Sequence, residues 1–93
     1  MMHQFNRTME YLESKLDAEV DLQKFQQLSG YSYPLFSRLF SILADMTLAE
    51  YLRNRRLSEA VTDLRESSEK VIDIAMKYGY ESADAFSAAF KKF

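Results

Sequence analysis

Cysteine and tryptophan are absent from this 93-residue chain, and proline, histidine and glycine are nearly so, with one, one and two residues. Without cysteine there are no disulfides and no thiolate metal sites, which suits a reducing cytoplasm. Two glycines and one proline leave little material for hairpin turns, and no run alternates apolar with polar residues as a half-buried strand does. No apolar run approaches the roughly 18 residues of a membrane span, and the start, MMHQFNRTMEYL, lacks the apolar core of a signal peptide. Neither a membrane partner nor a cofactor is expected. The lone histidine, His3, sits at a terminus, the 14 carboxylates show no ligand spacing with it, and there is no Gly-rich phosphate loop. The chain does not read as an enzyme.

What it has is helix-forming sequence. The apolar fraction of 47% and seven phenylalanines fit one folded domain with a modest core. Phe5, Met9, Leu12 and Leu16 recur at helical spacing and predict a helix over 4–16. Asp21 caps a second helix bearing Leu22, Phe25 and Leu28, which Gly30 ends. Ser32 caps a third, with Pro34 in its first turn, where no intrahelical N–H is needed. The segment TLAE, Thr47 to Glu50, is a capping box opening a long helix to about Arg65, with Leu48, Leu52, Leu57, Ala60, Val61 and Leu64 inward. Ser67 or Ser68 caps a fifth helix that buries Val71, Ile74, Ala75 and Tyr78 and stops at Gly79. Ser82 caps the last. The fold class is all-α: six helices and no sheet.

The chain writes one pattern twice. GYSYPLFSRLFSIL starts at Gly30 and GYESADAFSAAFKKF at Gly79, and the two helices correspond at an offset of fifty. At about 100° per residue, Phe36, Leu39, Phe40 and Leu43 share an arc that must face the core. Pro34, Ser37, Arg38 and Ser41 lie opposite. In the last helix Phe86, Ala89, Phe90 and Phe93 face inward, and Asp84, Ser87, Ala88 and Lys91 outward. Each such helix follows a short helix and a Gly-containing turn, so each pair is a helix-turn-helix whose second helix can present its outer face to a DNA major groove. The helix between them spans roughly 27 Å at 1.5 Å per residue. Successive major-groove faces on one side of B-DNA are about 34 Å apart.

Charge follows the same organisation. The net charge is −2, yet residues 24–58 hold five basic and two acidic groups, between acidic segments on either side, and Lys91 and Lys92 follow near the end. Arg38 is the candidate for a guanine contact. Pro34, Ser37, Ser41, Asp84, Ser87 and Ala88 complete the two base-facing sets. Tyr33, Arg53, Arg56, Lys91 and Lys92 are candidates for phosphate. Arg53, Arg55 and Arg56 cannot all point one way, so at least one of them is expected to brace the fold.

LSGYSYPLFSRLF, TLAEYLRNRRLSEAVTDLRES and VIDIAMKYGYESADAFSAAFKKF together resemble the DNA-binding domain of the AraC/XylS family of bacterial transcription regulators. The resemblance covers residues 21–93, and its most specific part is IAMKYGYES followed by the two phenylalanines and FKK. It implies two helix-turn-helix units joined by a long helix, promoter DNA as partner, and RNA polymerase as a second partner. It further implies a domain divided into a first unit with its leading helix (1–46), a linker helix (47–66) and a second unit (67–93) truncated at its C-terminal end. The chain departs from the family pattern at Asp45, where a glycine is usual, and at Ala88, where an arginine is usual. It also stops before the family's customary closing turn. An amino-terminal domain excised from a longer protein is therefore expected, followed by a GyrI-like C-terminal effector-binding domain. The competing expectation is a helical protein-interaction module whose second unit binds DNA weakly or not at all, suggested by Asp84 and Ala88.

Overall fold

The computed structural model describes residues 2–92, which form six α-helices and, among the described residues, no strand, as the sequence predicts. They are α1 (Met2–Glu13), α2 (Leu22–Ser29), α3 (Tyr33–Ala44), α4 (Leu48–Glu66), α5 (Val71–Lys77) and α6 (Ala83–Lys92). Phe93 lies outside the described residues.

Most helix ends follow the local chemistry. The Asp21 carboxylate accepts from the N–H groups of Gln23 and Lys24, and Gly30 closes α2 in the left-handed region at φ 79°. Ser32 accepts from Leu35 N–H and opens α3. Thr47 and Glu50 form the full capping box of α4. The Ser82 hydroxyl accepts from Ala85 N–H at the start of α6. Asp45 ends α3 at φ 57° and ψ 30°. The turn thus demands a positive φ that glycine meets freely, and aspartate is among the few side chains that tolerate it.

Two expected ends differ. α1 stops at Glu13, and Leu16 reaches the core from the following turn. The cap of α5 is neither Ser67 nor Ser68. Ser67 is used at the exit of α4, where its N–H donates to the Asp63 carbonyl and its hydroxyl accepts from Glu69 N–H. α5 therefore starts at Val71 after Lys70, which supplies no side-chain cap.

The apolar residues gather in two clusters rather than one. Tyr11, Leu12, Leu16, Phe25, Phe36, Phe40, Leu48 and Leu52 form the first. Leu57, Ala60, Ile74, Ala75, Tyr78 and Phe86 form the second. α4 serves both, and it changes face to do so. At 100° per residue, Leu48 and Leu52 centre about 130° around the axis from Leu57 and Ala60. Val61 is consequently only half-buried and Leu64 exposed, against the expectation that both point inward. Stringing two clusters along a 19-residue helix also lengthens the molecule. Its radius of gyration is 14.5 Å, against about 12 Å for a compact domain of this length.

Within the first cluster the rings interlock: Phe25 meets Phe36 edge-on at 5.1 Å, and Phe5 stacks on Phe36 at 5.5 Å. Within the second, Tyr80 tilts on Phe86 and Phe90 meets it edge-on at 4.8 Å. Five residues expected in the core are not there. Leu39, Leu43, Leu22, Val71 and Leu64 are all more than a third exposed, because the neighbouring helices cover only part of each apolar arc.

Candidate nucleic-acid interface

α3 and α6 each rest on their cluster through two aromatic rings, which fixes their outward faces. Phe36 and Phe40 anchor α3, and Phe86, with half-buried Phe90, anchors α6. On the far side of α3, Pro34 and Arg38 are exposed, while Ser37 and Ser41 are half-buried. Among the described residues Arg38 holds no salt bridge, so its five donors remain available for the acceptor pair that guanine shows in a major groove. The Ser41 hydroxyl donates to the Ser37 carbonyl at 3.0 Å. Its proton is thereby used, and what it offers outward is acceptor capacity. Tyr33, at the start of α3, tilts over Phe25 at 5.1 Å and is held by its ring.

On α6, Asp84, Ser87, Ala88, Lys91 and Lys92 are all exposed. Asp84 lies in the first turn and both lysines in the last. Each charge therefore also complements the helix dipole, which gives it a place in the fold independent of any ligand. Among these residues, cationic donors stand only at the lysine end, and the Ser87 hydroxyl is the one neutral donor. The centre of the face is the Ala88 methyl group.

Of the four arginines of α4, Arg53, Arg55 and Arg56 divide, as expected, between bracing and exposure. Arg55 braces through two contacts: its Nε donates to Glu13 at 2.8 Å and its Nη2 donates to Glu59 at 2.9 Å. The Tyr51 hydroxyl donates to the same Glu13 carboxylate at 3.2 Å. The hydrogen bond that Arg55 donates to Glu13 raises the Arg55 pKa further, and burial, with the Glu13 charge behind it, raises that of Tyr51. Arg56 donates through Nε to the Leu16 carbonyl at 3.1 Å, tying α4 to the end of α1. Arg53 stays exposed and lines a groove of about 360 Å³ with Tyr80, Ala85, Ala88, Ala89 and Lys92. This groove sets two cations around an alanine floor and adjoins the outward face of α6.

A second brace holds α5, and through it α6, on α4. The Tyr78 hydroxyl donates to Asp63 Oδ2 at 2.7 Å, and Lys77 Nζ reaches the same oxygen at 3.1 Å. The Tyr78 hydrogen bond, ahead of Lys77, holds the Asp63 carboxyl below its ordinary range. Burial, then the bond to Asp63, pushes the Tyr78 phenol up. Sequence reasoning missed Glu13, Tyr51, Asp63 and Tyr78 as a positioning set. Their partners lie 38, 42 and 15 residues apart, beyond any periodic signal, and only the Arg55–Glu59 pair shows helical spacing. His3 is exposed on α1, and among the described residues no three of His, Cys, Asp and Glu gather as metal ligands. No helix of the described residues is long and apolar enough to cross a membrane.

Comparison with known proteins adds four findings. A family described as a helix-turn-helix domain matches residues 26–93. The transposon Tn10 TetD protein of Escherichia coli is 36% identical over 81 residues, covering 87% of this chain and 59% of that protein. Regulatory protein SoxS of Salmonella typhimurium is 34% identical, covering 99% of this chain and 88% of SoxS. Among solved structures, an AraC-type transcriptional regulator from Chromobacterium violaceum superposes with a TM-score of 0.81 over 98% of this chain and 81% of that one. At 19% identity, that likeness shows the fold alone.

Proposed function

This chain belongs to the AraC/XylS family of helix-turn-helix transcription regulators, and on that premise we propose that it reads promoter DNA with α3 and α6 in successive major-groove segments. The observation that carries the reading is the outward face of α3, where Arg38 stands exposed, with no salt bridge among the described residues, over a helix anchored by two buried rings. α4, about 28 Å long at 1.5 Å per residue, supplies the spacing toward the roughly 34 Å repeat of the groove.

In this reading Arg38 bonds a guanine through O6 and N7, Pro34 touches a thymine methyl, and Ser37 and Ser41 accept from amino groups. On α6 the Ala88 methyl meets a thymine methyl, Ser87 bonds at the base edge, and Asp84 accepts from a cytosine amino group. Tyr33, Arg53, Lys91 and Lys92 hold phosphates and set the register. Arg56, tied to Leu16 through Nε, takes the bracing part and has only its terminal amino groups left for a phosphate. The chain spans 59% of the TetD protein, so the activity of a whole protein goes beyond it. We extend the proposal to RNA polymerase as a second partner and to a C-terminal effector-binding domain in the parent protein.

The test is a binding titration against a duplex selected from a random library and a scrambled control. Arg38→Ala costs about 1–3 kcal/mol of specific binding and relaxes the preference at one base pair. Lys91→Ala weakens both duplexes alike, because a phosphate contact carries no base information. With a net charge of −2, binding to non-specific DNA is weak, and the salt dependence reports roughly three to five phosphate contacts at about −0.9 each. An Arg38→Ala chain that folds and binds the selected duplex as tightly as the parent removes α3 from the reading.

A further inference from the structure

α3 is apolar on more than the face it buries. Phe36 and Phe40 are 3% and 4% exposed, whereas Leu35, Leu39, Ile42 and Leu43 stand 43%, 37%, 72% and 71% exposed. At 100° per residue these four occupy one arc of about 100°, centred roughly 140° from the centre of the face that carries Pro34, Ser37, Arg38 and Ser41. Three of them border a groove of about 260 Å³ whose other apolar walls are Met2, Phe5, Tyr31 and Phe36. Met2 and Tyr31 are themselves well exposed. Among the described residues, Gln4 and Ser29 are the polar lining residues, and none of those that border the groove is charged. Isolated exposed leucines need no explanation, but a contiguous patch of this kind marks an interaction site.

We propose that this face is a two-fold interface between two copies of the chain, with the α3 helices antiparallel and Leu39 on the axis. The stripe is palindromic, with Leu35 four residues before Leu39 and Leu43 four residues after it. An antiparallel two-fold therefore sets Leu35 against the partner's Leu43 and Leu39 against the partner's Leu39, while Ile42 enters the partner's groove. That is the self-complementarity an isologous contact requires. Because no described lining residue is charged, none of them sets like charges against each other across the axis. With about 200 Å² for each large apolar residue, the exposed fractions leave on the order of 600 Å² per copy. Two copies bring about 1,200 Å² together, at the threshold of stable interfaces. The Arg38 face stays outside the seam, so the interface is independent of the DNA reading and can stand or fall without it.

Sedimentation equilibrium of the 93-residue chain across micromolar concentrations reads the mass directly, with circular dichroism as the folding check. The parent chain doubles its mass as concentration rises, and Ile42→Asp, at a position with no part in the core, stays monomeric with unchanged helicity. Leu39→Cys gives a second reading, because the chain has no other cysteine. Mild oxidation converts it to a covalent dimer, while Ser87→Cys, on α6 and away from the groove, does not cross-link under the same conditions. A parent chain monomeric at every concentration overturns the proposal, and leaves the groove to another segment or partner. Undiminished dimerisation of Ile42→Asp overturns it, and so does open-ended association in place of a closed dimer. If Ile42→Asp loses helicity, cross-linking at Leu39 decides, and its failure overturns the proposal.

Discussion

Tyr78→Phe removes one oxygen from the contact that ties the second unit to α4. Tyr78 is 9% exposed, and its hydroxyl lies 2.7 Å from Asp63 Oδ2. A hydrogen bond to a charged group contributes about 1.5–3 kcal/mol net. Asp63 is partly exposed and keeps Lys77 at 3.1 Å, so the variant does not strand a buried charge, and the cost falls at the low end, about 1.5 kcal/mol. In a domain of this size that is a fall in Tm of roughly 5–10 °C. The same bond carries two pH signatures. Asp63 has a lowered pKa, so its contribution is full above the unfolded value near 4 and is lost as pH falls through the folded value. Tyr78 has a raised pKa, so its contribution is full below the unfolded value near 10 and is lost as pH rises toward the folded one. Tyr78→Phe flattens the acid limb, leaving only the part that Lys77 sustains, and abolishes the alkaline limb due to this residue. Thermal melts followed by circular dichroism from about pH 3 to pH 11 measure both limbs. A variant that melts within about 1 °C of the parent, with the same acid slope, refutes the reasoning.

Asp45→Gly relieves the left-handed residue at the end of α3, and with part of the gain lost to unfolded-state entropy the net is about 0.5 kcal/mol of added stability. Asp45→Val, which crowds the same φ, costs about 1–2 kcal/mol, and urea denaturation separates the two. Arg55→Ala cuts α4 from Glu13 and Glu59; the groups are about one-third exposed, so the loss is about 1 kcal/mol and shrinks in high salt. Ala88→Arg, at an exposed position, leaves helicity unchanged and strengthens duplex binding several-fold in a gel-shift titration, less than Arg38 contributes because Asp84 one turn earlier draws on the new charge.

The helices were legible because their signals are local. Asp21, Ser32, Thr47 with Glu50, and Ser82 each meet an amide two or three residues away, and the caps formed as the sequence predicts. Ser67 was misread because two backbone turns competed for one hydroxyl, and the exit of α4 won. The repeat, the paired phenylalanines and the outward set of α3 were equally readable, since a helix of known register assigns every residue an angle. How wide an arc is covered is another matter. Leu39 and Leu43 share the apolar side of α3 with Phe36 and Phe40, and nothing in their spacing shows that the neighbouring helices leave them bare.

By itself, then, the sequence determined six helices, the side-chain caps of α2, α3, α4 and α6, the doubled turn-then-helix pattern, and the absence of strands among the described residues, because each follows from backbone hydrogen bonds and periodicities spanning a few residues. Only the tertiary structure decided that α4 buries one face toward the first cluster and another toward the second, that Arg55 and Arg56 brace while Arg38 and Arg53 hold no salt bridge among the described residues, and that an apolar stripe remains open beside α1. The physical reason is chain separation. Glu13 meets Arg55 across 42 residues, and whether a charge is paired or a leucine covered depends on what the fold brings beside it.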